Sequence, residues 1–479
     1  MKRRDFLKSL AIAALPIGGA GYAAEKNGPT LPAVPPTEAF DVVVVGGGPA
    51  GVCAAIASAR NGAKTLIVEQ GNCLGGMATR GLVGPFMTCY DTRGEKQIIK
   101  GLFEEIVQRL VKIGGAIHPS ECRAGSCYSA WHVSGHDHVT PFEPEKLKLV
   151  LDEMCEEAGV EVLYHTAFVS PALDANRIAA VQVFNKSGLS VIGAKIVVDA
   201  TGDGDVAFRS SVPCELGDPE RDGAMQPATM FFRIAGLKQE ELEADLAKHK
   251  GPGKWLFSWY VDAAKKAGEW SLPRPHINIY RQVRDDEWFV NVSRLNGVNA
   301  TDAKSLSKAE RDGRRQVRTI MNCFRKYFPG GGNVRLLSTA STIGIRESRH
   351  VQGEYRLDKD DILEGRVPDD TIVRCAYAID LHAGKGKSGT LFLTVKKGSF
   401  YGIPYRSLVP KKIDNLLVAG RCLSGSSMAA ASFRVMPPAM ATGEAAGTAA
   451  AMCAKSGTTP RALDVKALIA RLKAQGAEV

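Results

Sequence analysis

The chain has 479 residues, 45% of them hydrophobic and 23% charged, with 50 glycines. That length holds two or three ordinary domains, or one large domain with an insertion, and the composition is that of a soluble globular protein. The formal charge is +10, of which +3 belongs to residues 1–24. The rest has no Lys/Arg run, which argues against a nucleic-acid partner and leaves a mildly basic surface able to steer an anionic substrate.

Residues 1–24 read as a processing segment: Lys2, Arg3 and Arg4, an apolar stretch from Leu10 to Leu15, then small residues up to Ala24. The stretch is well short of the roughly 20 residues that span a bilayer, so a secretory signal is expected rather than an anchor. Arg3-Arg4-x-Phe6-Leu7-Lys8 resembles the twin-arginine type, which exports folded proteins; this implies a periplasmic protein without stable membrane insertion after processing. Residues 25–38, with Pro29, Pro32, Pro35 and Pro36, form a linker.

Asp41 to Val45 is a β-branched run suited to a buried parallel strand. It runs into Gly46-Gly47-Gly48-Pro49-Ala50-Gly51, a small-residue helix to Arg60, and a second strand, Thr65 to Val68, that stops at Glu69 and Gln70. Each part has a task in dinucleotide binding. Gly46 allows the tight turn, Gly48 lets the backbone approach a pyrophosphate, and Gly51 lets helix and strand pack closely. The helix N-terminus offers free N–H groups to phosphates, and Glu69 can accept from ribose hydroxyls. Gly75-Gly76-Met77-Ala78-Thr79 follows as a small-residue loop. Ile196 to Asp205 is another strand ending in a glycine-rich turn, and Leu416 to Arg421 is a further strand and turn. The next helix has Pro437 and Pro438 near its start and Gly443 and Gly447 along it, which suits an N-terminus aimed at a ligand.

Together these segments resemble the FAD-dependent oxidoreductases that are distant relatives of fumarate reductase and succinate dehydrogenase flavoproteins. The matching stretches are Gly46–Gly51, Leu74–Gly81, Phe142–Glu145, Asp199–Asp205, Ile343–Arg349 with Gly353–Tyr355, Ile403–Arg406, Asn415–Cys422 and Arg434–Gly447. The resemblance implies an α/β fold: a Rossmann-like FAD-binding domain with a discontinuous α+β substrate domain. It implies that Gly46, Gly48, Gly51, Glu69 and Gly76 hold the adenosine diphosphate half of FAD, and that Pro49, Ala50, Gln70, Met77 and Thr79 also bind the cofactor. Ala200, Thr201, Gly202 and Asp203 would line the cofactor. Gly420, Arg421, Pro438 and Ala439 would sit near the isoalloxazine. A second Gly-x-Gly-x-x-Gly after a strand does not occur, and no close dithiol follows the first unit, so a dedicated NAD(P)H domain is not expected.

The FAD-binding domain is expected over residues 39–84, 141–216 and 335–455, with a C-terminal helix over 456–479. Residues 85–140 and 217–334 lack nucleotide motifs and are expected to form the substrate-binding cap. Helical patterns occur at Glu240–Lys248, Trp259–Gly268 and Ser307–Tyr327, and an extended stretch at Trp288–Val292. The chemistry candidates are His382, His350, Arg346, Arg406 and Arg434: imidazoles titrate near neutral pH and guanidiniums clamp carboxylates. Arg346, Glu347 and Arg349 read equally as a structural ion network. His118 to His138 holds four of the nine histidines together with Cys122 and Cys127. A metal site, a disulfide between the two cysteines, or an ordinary loop near the active site all fit that segment, and no metal ligands are assigned. The first functional expectation is an exported dehydrogenase or oxidase moving a hydride between a small organic substrate and flavin. The alternatives are a reductase fed by a separate electron carrier and a non-catalytic flavin electron-transfer module.

Overall fold

The computed structural model describes residues 36–249, 256–382, 389–396 and 398–479. The signal and most of the linker expected over residues 1–38 lie outside the described residues.

The β-branched run forms a strand over Glu38–Val45, extended by three residues beyond the sequence reading. It pairs in parallel with Thr65–Val68 on one side and with Gly188–Asp199 on the other. Between the first two strands runs helix Pro49–Arg60. Glu161–Leu163 adds a parallel strand outside Thr65–Val68. The far edge of Gly188–Asp199 is shared. Its first half pairs with Arg177–Asn185, which continues antiparallel into Ala167–Asp174, and its end pairs in parallel with Leu416–Val418. The parallel strands therefore all deliver their C-terminal ends, at Val45, Val68, Asp199 and Val418, to one edge of the sheet, where ligands bind in open α/β sheets.

The helix Met436–Ser456 packs along Pro49–Arg60 with almost no side chain between them. A Cβ on Gly443 would lie 2.0 Å from the Ala50 carbonyl oxygen, and one on Gly447 2.0 Å from that of Ala54. These two glycines thus serve helix–helix contact rather than a ligand. The same helix carries Glu444, buried, whose carboxylate accepts from the Leu102 N–H at 3.0 Å. It caps helix Leu102–Lys112, whose own N-cap, Gly101, has no side chain to offer.

A second, smaller core lies under an antiparallel sheet ordered Arg335–Thr339, Phe232–Ala235, Glu287–Asn291, Asn278–Arg281. Helix Ala303–Tyr327 covers it with an apolar stripe of Ala309, Val317, Ile320, Met321 and Phe324. This is the cap, but its boundaries differ from those expected in two places. Strand Arg335–Thr339 falls in the cap sheet, not in the FAD-binding domain. Residues 85–113 pack into the large core through Phe86, Ile98, Phe103, Ile106 and Leu110, so only the later part of the first insertion, with Cys127 and Ala130, joins the cap. Periodicity alone does not reveal this, because an amphipathic helix fits either core equally well. The expected C-terminal helix is present at Val465–Ala474. Among the described residues, no helix is long and apolar enough to cross a membrane.

Candidate active site

One cavity of about 630 Å³ runs from the glycine turn to the cap, within the usual size range of small-molecule and cofactor sites. At its first end the walls are Gly46, Gly48, Pro49, Ala50, Gly76 and Met77, with Glu69, Gln70 and Arg80 beside them. Gly46 has φ +101° and a Cβ there would lie 2.6 Å from the Ala200 oxygen, so both its conformation and its surroundings demand glycine. At Gly48 an added Cβ meets no protein atom within 4 Å: this glycine faces open cavity. Helix Pro49–Arg60 begins there with no side-chain cap and no acid in its first turn, leaving its N–H groups and positive dipole end to an anion. The Glu69 carboxylate is fixed by the Gly47 N–H at 2.7 Å, the Gly71 N–H at 2.6 Å and Arg80 at 3.1 Å.

In the middle section Ala200, Thr201, Gly202, Asp203, Gly420 and Arg421 form the wall. Arg421 and Asp203 neutralise each other at 2.7 Å, and Arg421 also donates to the carbonyls of Gly202 and Ile345. This clamp ties the two strand-end turns together. Beyond it Val435, Met436 and Ala439 bring in the N-terminus of helix Met436–Ser456, again without a side-chain cap or an acid in the first turn.

Three expected cofactor residues stand off the cavity wall. Gly51 packs the turn itself: a Cβ would lie 1.8 Å from the Gly46 oxygen. Thr79 is buried and donates to the Leu74 carbonyl at 2.6 Å, shaping the Gly75–Gly76 loop. Pro438 is buried within the first turn of its helix.

The cap end holds the titratable groups. His382, Arg346 and Arg434 of the expected set line it, joined by His132, His136, Arg274, His276, Tyr280, Tyr377 and Asp380. Asp380 and His382 sit on the strand Ile379–His382, paired with Thr390–Leu393. Asn278 and Tyr280 reach the cavity from one cap strand at the two-residue period, with Ile279 between them in the core.

Asp380 collects donors: His382 Nε2 at 3.4 Å, the Tyr377 hydroxyl at 3.4 Å and Arg434 at 3.9 Å. His382 and Arg434 hold it well below the usual carboxylate range, so it is ionised at any working pH. The other nitrogen of His382, Nδ1, accepts from Arg294 at 3.0 Å, which places the imidazole proton on Nε2. Burial pushes His382 down to about 3, against the pull of Asp380. The expectation of a near-neutral proton carrier is therefore corrected: His382 is a neutral imidazole engaged on both nitrogens, and it positions Asp380. His136 differs. Its Nδ1 donates to the Ser134 carbonyl at 3.4 Å, which leaves the lone pair on Nε2. Burial keeps it neutral, and its ring stacks on His132 at 4.6 Å.

Two expected catalytic residues lie elsewhere. Arg406 is exposed, forms a bidentate pair with Asp370 at 2.9 and 3.1 Å, and lies over the Tyr355 ring. His350 is buried and bonds Glu347 at 3.0 Å; Glu347 also accepts from the Gln226 N–H. Arg349 pairs with Asp205. Glu347 and Arg349 are thus engaged in contacts away from the cavity, His350 joins Glu347, and Arg346 turns to the cavity.

The His118–His138 segment divides. His132 and His136 face the cavity, His118 bonds Glu104 and Ser120, and His138 stacks on Tyr90 at 3.8 Å. Cys122 and Cys127 are buried free thiols, pushed up by burial to about 12 and about 11. Among the described residues no group of His, Cys, Asp and Glu is arranged to hold a metal ion.

Residues 41–472 match the family model described as FAD dependent oxidoreductase. The chain belongs to that family. Its cofactor is FAD, and the uncapped helix ends, the open face of Gly48 and the carboxylate of Glu69 fit that group. No curated protein sequence matches the chain. Similar solved structures include p-nitrophenol 4-monooxygenase from Pseudomonas putida DLL-E4, 11% identical over 88% of this chain and 82% of that one, with a TM-score of 0.45. L-proline dehydrogenase from P. horikoshii is 13% identical over 92% of this chain and 99% of that one, with a TM-score of 0.42. A geranylgeranyl bacteriochlorophyll reductase-like protein from Thermoplasma acidophilum is 12% identical over 92% and 84%, with a TM-score of 0.44. By its family match the protein is an FAD-dependent oxidoreductase.

Proposed function

We propose that this FAD-dependent oxidoreductase moves a hydride between a small organic substrate and its flavin, acting as a dehydrogenase or oxidase. The observation that carries the reading is the continuity of the cavity. The wall that would hold the cofactor leads directly into a chamber lined by Arg346, Arg434, Asp380 and His136. FAD supplies the two-electron acceptor. The chain supplies the rest. The positive end of helix Met436–Ser456, with Arg434 beside it, favours negative charge developing at that wall. His136 Nε2 is the base free to take a substrate proton, and the Tyr280 hydroxyl, raised to about 12 by burial, stays protonated as a donor.

Anaerobic titration of the purified protein tests this. A small organic donor should bleach the oxidised flavin band. Reoxidation of reduced protein by an organic acceptor, with no donor active, would favour the reductase direction. A flavin indifferent to both would leave an electron-transfer module. For localisation, the proposal is export by the twin-arginine route, supported by Arg3-Arg4-x-Phe6-Leu7-Lys8. Arg3→Lys with Arg4→Lys should then hold the precursor in the cytoplasm; unchanged periplasmic yield would contradict it.

A further inference from the structure

The cap end of the cavity is unusual in its charge. Arg274, Arg346 and Arg434 line it against the single carboxylate of Asp380. Asp380 is already taken up by His382, Tyr377 and, at 3.9 Å, Arg434. Arg346 spends its hydrogen bonds on neutral acceptors, the Pro227 carbonyl at 2.6 Å and the Thr229 hydroxyl at 2.7 Å. Arg274 is only 5% exposed, yet its guanidinium has no ion-pair partner among the described residues, and its Nε is buried without a hydrogen-bond acceptor. The Nε of Arg434 is likewise buried and unmatched.

A guanidinium keeps its proton in proteins, so the cost of this arrangement cannot be relieved by neutralisation. Burial and repulsion by Arg434 and Arg274 press Arg346 toward its neutral form, against the pull of the one carboxylate, Asp380. Burying cations in a cluster without counter-charge is strongly unfavourable unless something else brings the charge. The histidines do not add to it or subtract from it. His132 and His276 are held neutral by burial, at about 3 and about 2, and His136 is also shifted down. The chamber therefore carries an excess of positive charge presented by planar forks, whose geometry matches the two oxygens of a carboxylate.

Resting on the hydride-transfer reading of this same cavity, we infer that the substrate is an organic carboxylate, bound through its carboxylate group by Arg274 and Arg346. The carboxylate neutralises the chamber on entry, and the specificity of the enzyme lies first in charge and then in the planar fork. Arg274 is the residue whose loss removes recognition without touching the cofactor wall, because it comes from the cap.

The test needs no turnover. The oxidised holoenzyme is titrated with acetate, benzoate and succinate, with the matched amides acetamide, benzamide and succinamide, and with inorganic phosphate. The visible flavin difference spectrum is the readout. At least one carboxylate should perturb the band saturably, with its amide at least about tenfold weaker, a loss of one charge-assisted hydrogen bond of about 1.4 kcal/mol. Arg274→Met should lose that response while retaining its flavin. Arg274→Lys should recover it in part, and the exposed Arg406→Gln should leave it unchanged. Amides equal to acids, or an unaltered Arg274→Met response, would overturn the inference. Phosphate matching the carboxylates would also overturn it, since the chamber would then read charge alone. A protein whose flavin is reduced by a neutral donor, but which ignores every carboxylate, would retain the oxidoreductase reading and lose only this one.

Discussion

Gly48→Leu is expected to fold and to lose its flavin. What surrounds the missing side chain decides both outcomes. No protein atom lies within 4 Å of a Cβ built there, so the chain can accept one without moving. The space it enters is the cavity in front of the uncapped N-terminus of helix Pro49–Arg60, where the helix offers its N–H groups to a phosphate. A leucine there obstructs the approach at a cost of about 3 kcal/mol or more, or at least about a hundredfold in affinity for FAD. Circular dichroism should match that of the flavin-free parent, while the absorbance near the flavin bands disappears. Gly51→Leu is the opposite control. Its Cβ would lie 1.8 Å from the backbone oxygen of Gly46, so it should fail to fold. Full flavin retention by Gly48→Leu would show that the cofactor does not approach this turn.

Glu444→Gln should stabilise the protein at pH 8 and leave it almost unchanged near pH 4.5. Glu444 is 4% exposed, and burial raises its carboxyl from the ordinary 4.5 to about 7. The folded chain therefore binds this proton more tightly than the unfolded chain does. The stability this represents is complete below about 4.5 and is lost as pH rises through about 7. At about 1.4 kcal/mol per pH unit the whole loss is about 3 kcal/mol. Glutamine keeps an oxygen to accept from the Leu102 N–H and cannot ionise, so the variant escapes the loss. Urea unfolding at both pH values measures it. An equal effect at both values would mean that the carboxyl does not titrate in this window.

The cofactor half of the site was legible because its signals are local. A glycine turn, a strand of valines before it and an acid after the next strand sit within about thirty residues, the span of one βαβ unit. The reading missed where the requirement for glycine came from packing. Gly443 and Gly447 read as small residues suiting a helix aimed at a ligand; their necessity comes from the two helices touching. The substrate half was mostly hidden. Arg274 and Tyr280 carry no motif, and the segments bearing Arg274, Arg346, Asp380 and Arg434 meet only once the cap sheet and the Ile379–His382 hairpin are folded against the large domain. His382 lies on the cavity wall, but its tautomer is set by Arg294, 88 residues away in sequence, and its neutral state by burial. His136 lies within a segment for which a metal site, a Cys122–Cys127 disulfide and an ordinary loop near the active site all stay open in the sequence, and two of its rings face the cavity.

The central claim is that the glycine turn and the guanidinium chamber belong to one continuous site. A crystal structure of the yellow holoenzyme tests it most directly. FAD density should run from Glu69, past Gly48 and the Asp203–Arg421 clamp, to the start of helix Met436–Ser456, with the flavin ring open to the chamber of Arg274, Arg346 and His136. FAD with its flavin ring outside that chamber would contradict it.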